Sequence, residues 1–150
     1  MKVLATRTNR IARSMAAGLL AAGAMVAAQA VPLPHEHHEG SITYVSGGVS
    51  EGDAAAFRQA QRQYPLSIEL VEKAGAHNEF TADARIRVLG ADGVLVLDAK
   101  ADGPFMLVRL PAGRYKVEAT LAGHTVESKP LTVLAKGSTH AMIVFPEGTG

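Results

Sequence analysis

Residues 102–119 read DGPFMLVRLPAGRYKVEA. Two extended runs, FMLVR and RYKVEA, are hinged on Pro111-Ala112-Gly113. Proline pre-sets its own φ and glycine admits positive φ, the two properties that a tight chain reversal needs. Beyond the hinge, Tyr115, Val117, Ala119 and Leu121 alternate with Arg114, Lys116, Glu118 and Thr120. That period of two belongs to a strand with one face in a core and one in water. The stretch therefore predicts two strands meeting at a sharp corner. Tyr115 is expected to fill the interior and to send its hydroxyl toward backbone at the rim.

The same alternation recurs on either side. Leu66, Ile68 and Leu70 oppose Ser67 and Glu69, and Ala84, Ile86 and Val88 oppose Arg85 and Arg87. The run VLVL at 94–97 is apolar throughout, as expected of a strand covered on both faces or lying centrally in a sandwich. THAMIVF at 139–145 is a further extended run, and Pro130 inside TVESKPLTV implies an edge or a bulge because it has no N–H for a ladder. Between the runs lie Ala91-Asp92-Gly93, Asp102-Gly103-Pro104, Pro111-Ala112-Gly113 and Gly123. Turn residues at intervals of roughly ten predict a seven-stranded antiparallel β-sandwich over residues 66–146.

Upstream the period changes. In residues 42–65, ITYVSGGV predicts a short extended piece ending at Gly47-Gly48, and EGDAAAFRQAQRQ predicts a helix that Pro65 ends. Ser50 and Asp53 stand at the N-cap and N3 positions, and Phe57, Ala60 and Tyr64 fall on one helical face. That face is expected to cover part of the sheet and to shield an edge. Residues 31–41, VPLPHEHHEGS, offer little to bury and predict a flexible arm.

Residues 82–134 resemble the carboxypeptidase regulatory-like domain, a transthyretin-like β-sandwich with the run G-x-F-x-L, then L-P-P-G-x-Y-x-L/V. The matching residues are Gly103, Phe105, Leu107, Leu110, Pro111, Gly113, Tyr115 and Val117, after the strand ADARIRV. Ala112 and His124 depart from the family's second proline and its aromatic. The resemblance implies that Gly103, Phe105, Leu110, Pro111, Gly113 and Tyr115 are structural residues. It also implies a folding, docking or surface module, as in small exported bacterial proteins that carry one such domain.

Lys2, Arg7, Arg10 and Arg13 precede the uncharged run MAAGLLAAGAMVAA and then Ala28-Gln29-Ala30. This order predicts a secretory signal peptide over residues 1–30, too short in its apolar run for a retained membrane anchor. Residues 31–150 are therefore expected in the periplasm or secreted. The leader holds four of the fifteen Lys and Arg and none of the fourteen Asp and Glu, which leaves eleven bases against fourteen acids, a net charge of −3. A mildly acidic remainder has no electrostatic footprint for nucleic acid or an anionic membrane. The chain has no Cys, so burial alone must hold it together.

Candidate chemistry is sparse. His35-Glu36-His37-His38-Glu39 could take Zn, Ni or Cu through His35, His37 and His38, but it does not have the H-E-x-x-H spacing. His77, His124 and His140 lie apart in sequence, and an enzyme would need His124, His140 and Asp side chains to converge in one cleft. Arg85, Arg87, Arg114 and Lys116 share outward positions, either a solvated face or a basic surface for an acidic partner. The leading expectation is a noncatalytic exported module without a cofactor, binding an envelope protein or surface component. The alternative is a periplasmic metal-binding protein using the His-rich arm.

Overall fold

A computed structural model describes residues 31–150, and the signal peptide expected over residues 1–30 lies outside the described residues. The strands run in the order β1 (His37–Glu39), β2 (Ile42–Gly47), β3 (Leu66–Ala74), β4 (His77–Phe80), β5 (Arg85–Gly90), β6 (Leu95–Lys100), β7 (Phe105–Arg109), β8 (Gly113–Leu121), β9 (His124–Glu127), β10 (Leu131–Val133) and β11 (Thr139–Phe145). One sheet has the order β1-β2-β7-β3-β11, with β4 also paired to β3. The other has the order β10-β8-β5-β6, with β9 also paired to β8. The fold is a mainly-β sandwich of two sheets with one short helix, compatible with a transthyretin-like domain.

Among the described residues there are eleven strands, not the expected seven. β1 and β4 are short hairpin arms whose residues are all exposed, so no apolar alternation announces them. Pro130 falls in the gap between β9 and β10, which pair with successive stretches of β8. The sandwich is not wholly antiparallel either: β11 runs parallel to β3, from Thr139 opposite Leu66 to Phe145 opposite Glu72. Residues 37–39, within the stretch 31–41 expected as a flexible arm, pair with Ile42–Tyr44 and so form part of the first sheet.

Alternation becomes packing between the sheets. Leu66, Ile68 and Leu70 of β3, Ile86 and Val88 of β5, Leu97 and Ala99 of β6, and Val117, Ala119 and Leu121 of β8 form one buried cluster with Ile143 and Phe145 of β11. Tyr115 is half-buried against this cluster, and its hydroxyl donates to the Pro111 carbonyl at 2.7 Å. The corner that opens the sequence is thus closed by its own tyrosine.

The helix, α1 (Glu51–Ala60), begins where Ser50 Oγ accepts from the Asp53 N–H at 3.2 Å. A turn of 3-10 helix over Gln61–Gln63 carries the chain to Pro65. Ala54, Phe57 and Ala60, with Tyr64, pack on Val45, Phe105 and Leu107, and Leu33 closes the cluster. The helix therefore lies on the outer face of the first sheet and not along an edge. Strand β7 is consequently buried from both sides: Phe105 and Leu107 face the helix, while Met106 and Val108 face the second sheet. Buried Ser46 holds this strand's approach, donating to the Phe105 carbonyl at 2.9 Å and accepting from the Asp102 N–H at 3.0 Å.

Gly103 permits the chain crossing beside this contact, because a Cβ there would stand 2.8 Å from Gly47 Cα and nearer still to its carbonyl. The atoms that Cβ would strike are all backbone, so no side chain can swing away. Gly103→Ala should lower stability by about 3 kcal/mol, the upper part of the overpacking range. In urea titration the midpoint should fall, and an unchanged midpoint would refute the crossing. The β8–β9 hairpin turns on Ala122 (φ 46°) and Gly123 (φ 83°), two positive-φ positions of which one carries a side chain. Ala122→Gly should therefore raise stability by about 1 kcal/mol in the same titration.

Candidate functional site

The His-rich stretch runs into β1, with His35 and Glu36 ahead of the strand and His37, His38 and Glu39 along it. The His37 ring stacks on Tyr44 at 5.2 Å between centroids, and His38 Nδ1 lies 3.1 Å from Thr43 Oγ1. The neighbouring carboxylates are already engaged. Glu36 Oε1 accepts from the Tyr64 hydroxyl at 2.8 Å and lies 3.5 Å from Arg109 Nε, and Glu39 Oε1 accepts from the Asp98 N–H at 3.2 Å. The Arg109 guanidinium also lies over the Tyr64 ring, 4.1 Å from its centroid. Among the described residues no three His, Asp or Glu side chains converge as metal ligands. His35, His37 and His38 would need a rearranged β1 to share an ion, since successive strand residues point to opposite faces.

His140 meets neither His124 nor an aspartate. Its Nδ1 lies 2.8 Å from Ser67 Oγ, and its Nε2 lies 3.3 Å from Glu69 Oε2. Register brings them together: His140 of β11 stands opposite Ser67 in the parallel pair, and Glu69 is two residues further along the same side of β3. This constellation carries the residue types of a hydrolytic triad with the nitrogens interchanged, since a triad places serine on Nε2 and the carboxylate on Nδ1. Ser67 is 1% exposed, so a substrate carbonyl has no approach to Oγ. The network satisfies a buried hydroxyl. No spacing rule in the sequence announces it, because the partners are related only through the parallel pairing.

The outward residues of the second sheet form ordered rows. Arg87 of β5 stands opposite Asp98 of β6 and Glu118 of β8, and Glu118 stands opposite Glu127 of β9. The charges pair one to one. Arg85 forms a two-pronged bond to Asp98 at 2.7 and 2.8 Å, Arg87 bonds Glu118 at 2.7 Å, Lys116 bonds Glu127 at 2.5 Å, and Lys100 bonds Asp83 at 2.9 Å. The Arg85 bond holds the Asp98 carboxyl below the usual carboxylate range, against the opposing effect of burial. Of the four cations that suggested a basic surface, three are neutralised. Arg114 alone forms no ion pair among the described residues.

Next to Arg114 the face changes character. The β5–β6 register shifts between Val88 and Leu89, so that Leu97 opposes Val88 in the core while Leu95 opposes Leu89 outside it. A bulge of this kind re-aims a side chain. Leu95 is left 42% exposed and neighbouring Val94 58%. Leu89, Gly90, Ala91, Gly93, Tyr115 and Pro130, with Arg114, Lys116 and Glu118, line a concavity of about 420 Å³. An aliphatic floor with one unneutralised guanidinium at its side can hold an apolar group and a carboxylate together.

No protein-family model matches the chain, and no curated protein is similar enough to place it in a family.

The Tyr64 hydrogen bond, followed by Arg109, holds the Glu36 carboxyl below its ordinary pKa despite some opposing desolvation. A carboxyl depressed in the folded state contributes stability that is present above its unfolded pKa and is lost as pH falls through the folded value. Glu36→Gln should therefore flatten the acid limb of the thermal-midpoint profile between about pH 6 and about pH 3. Superimposable limbs for the two proteins would contradict this role for Glu36.

Proposed function

We propose that the chain is a noncatalytic exported module of the carboxypeptidase regulatory-like kind, which binds another protein of the bacterial envelope through the outer face of its second sheet. The observation that carries this reading is the bulge that turns Leu95 outward beside Leu89 and Arg114, on a face otherwise tiled with ion pairs. Exposed aliphatic side chains rimmed by polar groups mark interaction surfaces on otherwise soluble domains. The motif residues support the family assignment through their roles at the corner: Leu110 is buried in the inter-sheet core, and Tyr115 binds the Pro111 carbonyl. The order of basic residues, apolar run and Ala28-Gln29-Ala30 supports export to the periplasm or beyond.

Site-specific photo-cross-linking in the producing cell tests the reading. A photoreactive residue in place of Val94 should give one adduct of discrete mass in the periplasmic fraction, and the same residue in place of exposed Gln59 on the helix should give none. An adduct from position 59 alone, or none from position 94, would overturn the assignment of this face.

A further inference from the structure

We propose that the second sheet's outer face recognises an extended peptide segment carrying an acidic side chain and, two residues along, an aliphatic one. This rests on the reading of that face as an interaction surface and adds the chemistry of what it binds.

Charge selects the first feature. Asp98, Glu118, Glu127 and Asp83 are matched by Arg85, Arg87, Lys116 and Lys100, and the turn carboxylate of Asp92 accepts from the Val94 N–H, so Arg114 is the outward strand cation of this sheet that has no ion pair among the described residues. One unpaired guanidinium suits one carboxylate and is too little to hold a nucleic acid, whose affinity accrues over many phosphates. The second feature comes from the row Leu95, Leu89 and Lys116, which stand opposite one another across β6, β5 and β8. Leu89 and Leu95 are adjacent aliphatics, and Ala91 and Pro130 extend the apolar lining of the concavity.

Geometry then sets the spacing. Leu89 is directly opposite Lys116, and Arg114 is two residues from Lys116 on the same side of β8, so Leu89 and Arg114 are diagonal neighbours. Such neighbours stand about 7–8 Å apart. Alternate side chains of an extended peptide stand about 7 Å apart on one side. A carboxylate on Arg114 therefore places the side chain two positions away over Leu89 and Leu95.

The test uses blocked hexapeptides in a Ser/Gly background with Asp at one position and Val two residues later, titrated into isotope-labelled protein by NMR. The Asp/Val peptide should shift the Leu89 and Leu95 methyls and the Arg114 Nε–H saturably. Replacing Asp by Lys, or Val by Ser, should weaken binding about tenfold. Arg114→Glu, an exposed position whose change leaves the core intact, should reverse the preference toward the Lys/Val peptide. No saturable shift, shifts confined to other surfaces, a preference unmoved by Arg114→Glu, or equally tight binding of octanoate would each overturn the proposal. A discrete cross-link from position 94 without Asp/Val binding rejects the peptide chemistry and leaves the interaction face standing. Loss of both rejects both.

Discussion

Burial of β7 from two sides is the constraint on which the rest of the molecule depends. Its side chains alternate between two apolar environments, the inter-sheet core and the cluster under α1. Its backbone is paired on both edges: Met106 stands between Ser46 of β2 and Ile68 of β3, and Leu107 between Val45 and Ser67. Four buried side chains at about 1.5–3 kcal/mol each make this short strand a large share of the favourable burial. The demand propagates outward. Phe105 stacks on Phe57 with centroids 5.8 Å apart, which requires the helix, and the close passage of Gly103 over Gly47 lets the chain reach β7 at all.

Because one face of the first sheet is occupied by α1, the two sheets differ in what they can do. The outer surface of the second sheet is open, and its strands solve the exposure of that surface with paired charges. Exposed pairs of this kind contribute little to stability, roughly 0–1 kcal/mol each. They do determine what the surface attracts, since neutralised cations leave no field for a polyanion. Against that ground the bulge in β6 and Arg114, without an ion pair among the described residues, stand out, one supplying apolar contact and the other a single charge.

Much of the architecture is legible in the residues, for a physical reason. β5 and β8 each bury one face, and β3 sends Leu66, Ile68 and Leu70 into the inter-sheet core between more polar positions, so their alternation is written in the chain, and the helix carries its own cap in Ser50. β1 and β4 have no buried residue and gain order from their hairpin partners and from single contacts, Glu39 with the Asp98 N–H and Phe80 with Phe105, which no local pattern reports. The parallel course of β11 beside β3 is equally silent, since alternation is the same for either direction of pairing. The candidate surface was half legible. Arg85, Arg87, Arg114 and Lys116 were visible as outward cations, but their neutralisation depends on cross-strand register. VLVL reads as a strand covered on both faces or lying centrally, whereas the bulge sends Leu95 out of the core and β6 is the last strand of its sheet. The Glu36 bond to Tyr64 joins residues far apart in the chain, so the arm's composition hid its attachment.

Native-state hydrogen exchange resolved by residue tests the central role of β7 most directly. The Met106, Leu107 and Val108 amides should be among the slowest in the molecule and should open only with global unfolding, while β4 and β9 amides exchange through local opening at lower free energy. Exchange of the β7 amides as fast as those of β9, or at a free energy well below that of global unfolding, would contradict the account.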